Sequence, residues 1–323
     1  MRRLILLAAI TFAACNNNNS NQNTEEEKQA SVNAPVFSAD TAYAAVEKQV
    51  AFGPRIPGTP AQEACAAWLI GYFKNLADTV YVQRTKVIAP RKKELPCINI
   101  IASFNPAAKT RVLLFSHWDT RPFADKDAFD KKKQLDGADD GASGVGVLME
   151  VARQFHAKKP AIGVDILLTD VEDYGESDVA DSYCLGTQYW AKNPHINGYT
   201  AQYGILLDMV GGRNASFYME GHSKQYAYPQ MKMFWDVANT LGYSDLFRYE
   251  ESLGGPAFIT DDHAYVNTLA KIPSFDIIAT QPKGDFMPHH HTSNDNMSVI
   301  DKRTLQAVGQ TLLHVIYGEP FNY

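Results

Sequence analysis

Five stretches of this 323-residue chain carry side chains able to hold a cation or move a proton. Residues 135–144 read LDGADDGASG, which puts Asp136, Asp139 and Asp140 inside five positions among glycine and alanine. Carboxylates that close repel one another unless water or a cation lies between them. After RVLLFS come His117, Trp118 and Asp119, and after DILLTDV come Glu172 and Asp173. GILL leads to Asp208, ahead of Gly211 and Gly212, and MPHHHTSNDN carries His289, His290 and His291. Alone, each has an ordinary explanation: a strand-end aspartate forms caps and turns, and a histidine run is a solvated loop. Together they are oxygen and imidazole donors without thiolates, which suits a catalytic zinc with one open coordination position. A divalent cation would make the crowding at 136–140 tolerable. In the Glu172–Asp173 pair one carboxylate can bind the metal while its neighbour faces a substrate and exchanges a proton with it. His156, His195, His222 and His314 fall on helices or in polar turns without such neighbours and are read as structural.

The elements that must position these groups are legible in the hydrophobic pattern. SADTAYAAVEKQVAF opens with a capping serine, Ser38, and continues with apolar residues at helical spacing. TPAQEACAAWLIGYFKNL has Thr59 as cap and Pro60 in the first turn. Strand-like runs follow in TVYVQRTKVIA, CINIIASF and RVLLFSH. Then come a helix (ASGVGVLMEVARQFH), a strand (GVDILLTDV), a helix near 183–192, a strand (YGILLDMV) and a helix over 226–241. The strand IPSFDIIA and the helix DKRTLQAVGQTLLHVIY complete the order. Several strands are apolar throughout, as they are when helices cover both faces of a sheet. The expected fold is α/β: a single domain with a mixed, twisted β-sheet flanked by helices on both faces. Such open sheets place ligand sites beyond the carboxyl ends of their strands, where His117, Glu172, Asp173 and Asp208 fall.

At 45% hydrophobic and 20% charged residues the chain is of globular composition. Its start is different: MRRLILLAAITFAAC has two arginines, an apolar run too short to span a bilayer, and Ala13-Ala14-Cys15. We expect a signal peptide over 1–14, a lipid on Cys15 and a polar tether over 15–34, ahead of a catalytic domain over 35–323. The protein is then exported, held by its lipid on the periplasmic side of a bacterial membrane or free in the periplasm, and acts as a monomer. Removing Arg2 and Arg3 leaves 28 basic against 36 acidic residues, so the formal charge goes from −6 to −8. An acidic chain without a basic stripe excludes nucleic acid as a partner. Cys65, Cys97 and Cys184 lack CxxC spacing and are taken as small buried apolar residues.

From about residue 35 to the end, the chain resembles the zinc aminopeptidase-type metallopeptidases, and within them the animal-type glutaminyl cyclases. The motifs are FGPRIPGTP, SHWDT, GADDGASG, LLTDVEDYG, LLDMVGG, ITDDHAYV and HHHTSNDN, in the family's order. The resemblance implies metal ligands at Asp140, Asp173 and His291, a general acid/base at Glu172, and Asp208 and Asp261 as polar partners of the substrate. It implies zinc, one per chain, and peptide or protein N-termini as substrates. The N-terminal glutamine would close on itself to pyroglutamate and release ammonia. The chain departs from the family at Asp173, where animal enzymes have glutamate, and at His290, where they have tryptophan. The loop YGESDVADSY also lacks a tryptophan, so the pocket wall must come from other residues, with Trp118, Tyr174, Phe286 and His290 as candidates. The rival reading is a two-zinc aminopeptidase, whose second metal would use His117 and Asp208. A binding module that kept the fold but lost the chemistry is a third, against which the intact ligand set argues.

Overall fold

Residues 32–249 and 258–319 are described by the computed structural model; the expected signal peptide, Cys15 and the tether as far as residue 31 lie outside them. The body takes in two residues upstream of the expected start at 35: Asn33 accepts a bond from Lys158 at its carbonyl, and Ala34 packs on the core. The elements in chain order are α1 (Ala39–Val50), α2 (Pro60–Lys74), β1 (Thr79–Ala89), β2 (Lys93–Phe104), β3 (Arg111–His117) and α3 (Ala142–Ala157). Next come β4 (Gly163–Thr169), α4 (Leu185–Lys192), β5 (Tyr203–Asp208), β6 (Phe217–Tyr218) and α5 (Gly221–Thr240). The last are β7 (Phe247–Arg248), α6 (Asp262–Tyr265), β8 (Ser274–Ile278) and α7 (Lys302–Gly318).

The caps are those expected: Ser38 accepts from the Thr41 amide and Thr59 from the Gln62 amide, with Pro60 in the first turn of α2. The helix expected over 226–241 is longer. α5 starts at Gly221, capped by Glu220, and bends at Ala227 (φ −142°), two residues before Pro229. A proline inside a helix has no amide to donate and crowds the preceding turn. The sequence pattern therefore locates only the part from about the bend onward and misses the first turn. The short α6 and the single π-helical turn after it (Val266–Ala270) were not expected; they are too brief to show a period.

The main sheet has six strands in the order β1-β2-β4-β3-β5-β8. β1, β2 and β4 pair antiparallel, whereas β4, β3, β5 and β8 run parallel, so the sheet is mixed. Alternate residues leave the strands on opposite faces. Val112, Leu114, Ile166, Leu168, Ile205 and Leu207 join the large core with α1, α3, α5 and α7, while Leu113, Phe115, Leu167 and Leu206 pack with Trp190 of α4 and with Val266. Both faces are covered, which is why the strands are apolar throughout. The strand order turns at β3: the chain goes to β4 on one side and to β5 on the other. That is the topological switch point at which open sheets form a crevice beyond their carboxyl ends. His117 closes β3 at this point.

α3 has to lie very close to β5. A Cβ on Gly144 would stand 2.3 Å from the Leu207 carbonyl oxygen and 2.4 Å from Ser116 Oγ. Gly144→Ala must push helix and sheet apart, and overpacking of this kind costs about 1–3 kcal/mol. Chemical denaturation should show that loss; an unchanged midpoint would mean the helix moves freely on the sheet.

Candidate metal and catalytic centre

The cluster at 136–140 does not act as a unit. Asp136 is half-buried, and its backbone carbonyl, with that of Gly137, is held by the buried guanidinium of Arg55 from the FGPRIPGTP stretch. Asp139 turns away from the crevice: its carboxylate accepts from the Gly211 amide at 2.8 Å and lies 2.7 Å from His289 Nε2. Only Asp140 faces the crevice. The sequence suggested that a cation makes the crowding tolerable. In the structure the three acids are separated by direction, and only one of them is placed to meet a cation in the crevice. Asp295, from the SNDN stretch, accepts the amides of Asp139 and Asp140 at 2.7 and 3.2 Å and so pins the loop.

Around Asp140 the expected residues converge. His291 Nε2 lies 3.6 Å from Asp140 Oδ2 and 3.2 Å from Asp173 Oδ1. Asp140 Oδ2 and Asp173 Oδ2 are buried and have no hydrogen-bond partner, an arrangement that costs free energy unless a cation takes the lone pairs. Two carboxylates and an imidazole on three separate loops fit a zinc ion by donor type and by proximity. His290 is also close, with Nε2 3.8 Å from Asp140 Oδ2. Lys126 Nζ, however, is 2.9 Å from His290 Nδ1 and donates to it, which leaves the proton of the neutral ring on Nε2. Burial, with His291 alongside, lowers the His290 ring to about 2, so it stays neutral. His290 is therefore a wall, its ring tilted against those of Phe286 (4.2 Å between ring centres) and His291 (3.7 Å).

His117 sits at the middle of the acids, with Nε2 3.1 Å from Asp140 Oδ1 and 3.2 Å from Asp208 Oδ1. Burial disfavours its charge, but bonds to Asp119, Asp140 and Asp208 outweigh burial and raise its pKa well above the usual histidine value. Burial pushes Asp208 up to about 6 against the pull of His117. Burial also raises Glu172 well above an ordinary glutamate, opposed by His117 and reinforced by Asp173 and Asp261; Asp261 is raised by burial and by Asp208. Glu172, Asp208 and Asp261 all line one cavity of about 550 Å³ together with Asp140, Asp173, Phe286, His290 and His291. Of the double acid in ITDDH, only Asp261 faces that space; Asp262 accepts from Thr169 Oγ1 at 2.6 Å inside the fold.

Two of the expected wall residues lie elsewhere. Trp118 is wholly buried in the main core, its indole N–H donating to the Ile98 carbonyl at 3.1 Å. It comes one residue after His117 and so points to the opposite side. Tyr174 lines a neighbouring cleft with Pro90, Arg91 and Phe123, under the Lys93 ammonium. The aromatic wall is Phe286 and His290, with Tyr183 and Tyr265 on the far side. His156, His195, His222 and His314 lie outside the centre, as expected; His195, for example, packs among Tyr81, Trp190 and Tyr199.

Residues to which the sequence reading gave no role hold the centre in place. Asp119 accepts the amides of Glu172 at 3.0 Å and Asp173 at 3.2 Å and faces His117 Nδ1 at 3.5 Å. Arg121 grips Asp173 at both carbonyl and carboxylate (3.0 and 3.2 Å) and pairs with Asp125, which stands 3.6 Å from His291 Nδ1. SHWDT contained the signal for Asp119, since a second acid two residues from His117 is close enough to orient its ring. Arg121 gave none. Val171, Met209 and His291 have left-handed φ of 54°, 46° and 57°. Each adjoins or is a site residue, and such strain costs about 1–3 kcal/mol per residue.

The profile of peptidase family M28 matches residues 99–316. Among solved structures, a glutaminyl cyclase from Tannerella forsythia is 49% identical, covers 88% of this chain and all of its own, and superposes with a TM-score of 0.85. A Zn-dependent exopeptidase from Parabacteroides distasonis has the same identity, coverage and TM-score. The glutaminyl-peptide cyclotransferase of Drosophila melanogaster is 26% identical over 271 residues, 78% of this chain and 73% of that protein.

Asp119→Asn keeps the volume but has one acceptor oxygen for two amides. Loss of such an outer partner lowers metal affinity about 10–100-fold, which competition with a chelator would measure; unchanged affinity would remove Asp119 from the support of the centre.

Proposed function

The chain belongs to peptidase family M28, and from that premise we propose that it is a zinc-dependent glutaminyl-peptide cyclotransferase, turning N-terminal glutamine of peptides and proteins into pyroglutamate with release of ammonia. Its identity to a glutaminyl cyclase across the whole of that enzyme supports the reading. So does the resemblance of most of the chain to an animal cyclotransferase. The observation that carries it is Asp261, which joins Glu172 and Asp208 in the cavity beside the cluster of Asp140, Asp173 and His291. The substrate brings two nitrogen centres, an α-amine and a γ-amide, and these acids supply an acceptor for each and one more to move the proton.

We assign Asp140, Asp173 and His291 as the ligands of a single zinc. Held by these residues, zinc would supply Lewis-acid polarisation of the γ-carboxamide oxygen. Asp208 and Asp261 orient the amine and the amide nitrogen so that the peptide's own amine faces the γ-carbon. Orientation of an intramolecular attack is worth on the order of 7–11 kcal/mol, so holding the two ends together is much of what the protein contributes. Glu172 takes the proton from the attacking amine and returns it to the departing ammonia; burial raises its pKa above an ordinary glutamate, which favours the proton-holding half of that exchange. Phe286 and His290 form an apolar side to the pocket, beside which the methylene groups of the glutamine chain fit. His117 fits a different role from second-metal ligand. Its ring lies between Asp140 and Asp208 and offsets their charge.

We further propose export, with a lipid on Cys15, from the Arg2-Arg3 start, the short apolar run and Ala13-Ala14-Cys15. Labelling with a radioactive fatty acid checks this: Cys15→Ser should abolish incorporation.

With a glutaminyl dipeptide, the purified protein should release ammonia, leave the peptide bond intact and contain one zinc per chain. Free amino acids and two zincs would make it an aminopeptidase. Glu172→Gln should lower turnover by about 10²–10⁴-fold with zinc retained, whereas His291→Ala should lose the zinc itself.

A further inference from the structure

Glu172 is held by a residue that the reaction has not yet used. The Cys184 amide donates to the Glu172 carbonyl at 2.9 Å, and the next amide, Leu185, donates to the Val171 carbonyl at 3.0 Å. Cys184 Sγ lies 3.2 Å from Glu172 Oε1. Among the described residues this thiol is the one side-chain hydrogen-bond partner of the Glu172 carboxylate. The left-handed backbone at Cys184 (φ 56°) meets the left-handed turn at Val171 (φ 54°), so two unusual conformations lock the strand-end turn from both sides. Cys184 is also the residue that caps α4, yet its side chain makes no capping bond and is free for Glu172.

Glu172, Cys184 and Asp261 are close enough to suggest a metal cluster. The sulfur is wholly buried, however, and does not line the cavity that Glu172 and Asp261 line. It stands behind the carboxylate, as a support and not as a ligand. We propose that Cys184 is a positioning residue for the acid/base: its S–H donates to Glu172 Oε1 and so leaves Oε2 as the oxygen that takes the proton from the substrate amine and gives it to ammonia. The inference rests on the assignment of Glu172 as that acid/base. The thiol keeps its own proton throughout, and burial, together with the neighbouring Glu172 and Asp262, holds it protonated. A thiol is a weak donor, so it fixes the carboxylate without competing strongly for the lone pair that must accept a proton.

The test compares four variants of the full, zinc-loaded protein with a glutaminyl peptide as substrate: Cys184→Ala, Cys184→Ser, Glu172→Gln and the double Cys184→Ala/Glu172→Gln. Cys184→Ala should lower kcat by about ten- to a hundred-fold, as expected for a misplaced catalytic group, with KM and zinc content unchanged. Cys184→Ser keeps a donor and should restore most of the rate. In the double variant the loss should not exceed that of Glu172→Gln alone, because the thiol acts only through the carboxylate. Full activity in Cys184→Ala while Glu172→Gln is impaired would overturn the proposal. A serine variant that folds yet is as slow as alanine, or additive losses, would do so too. Full activity in Glu172→Gln would instead remove the acid/base assignment, and the positioning role with it.

Discussion

The structure depends on a concentration of carboxylates packed largely out of water. Asp119, Asp139, Asp140, Glu172, Asp173, Asp208, Asp261, Asp262 and Asp295 are all buried near the carboxyl ends of the parallel strands. Each isolated carboxylate there would cost several kcal/mol, so each needs an offset, and the fold supplies offsets of different kinds. Asp119, Asp139 and Asp295 accept backbone amides and thereby shape loops. Rings and guanidinium groups answer others: His289 for Asp139, His117 for Asp140 and Asp208, and Arg121 for Asp173. Glu172, Asp208 and Asp261 border the cavity, and burial raises all three, so each takes up a proton more readily than an ordinary carboxylate. Among the acids that line the cavity, Asp140 and Asp173 keep unpartnered oxygens, which a cation between them would satisfy. One problem, the burial of an acid, is solved differently at neighbouring residues.

Much of this was legible in the sequence because the chemistry sits where periodic elements end. The strands RVLLFSH, GVDILLT and YGILLD could be recognised from their apolar runs, and the residues after them, His117, Glu172, Asp173 and Asp208, had to meet at the edge of a common sheet. Pattern could not tell which of several adjacent acids faces inward. Asp136, Asp139 and Asp140 look alike in the sequence, and only the loop conformation, fixed by Arg55 and Asp295 from remote stretches, separates them. Trp118 illustrates the same limit from the other side. Its place beside His117 made it a candidate wall, but neighbouring residues of an extended chain point in opposite directions, and it belongs to the core.

The supports were harder to foresee than the reactive groups. Arg121 and Cys184 act through contacts made in three dimensions, with partners 52 and 12 residues away, and neither type announces such a role. Cys184 was taken as a small apolar residue on the default behaviour of buried cysteine. Its thiol proton makes the difference. The pocket wall is likewise a matter of assembly: Phe286, His290 and His291 come from one loop, and their rings, packed at a tilt, stand where the family resemblance would have led one to expect tryptophans.

The bonds from Asp295 span 156 and 155 residues to the amides of Asp139 and Asp140, and His291 belongs to the same late loop. A ribosome or an export channel delivers the chain from its amino end, so Asp140 and Asp173 emerge long before the segment that locks the loop and completes the proposed ligand set. Contacts so distant in sequence form late, because loop closure must come first. The partly delivered chain therefore holds separate acids and no assembled site. Capture of the metal becomes a late event, coupled to the final docking of the chain and governed by the ions available in the compartment where folding ends.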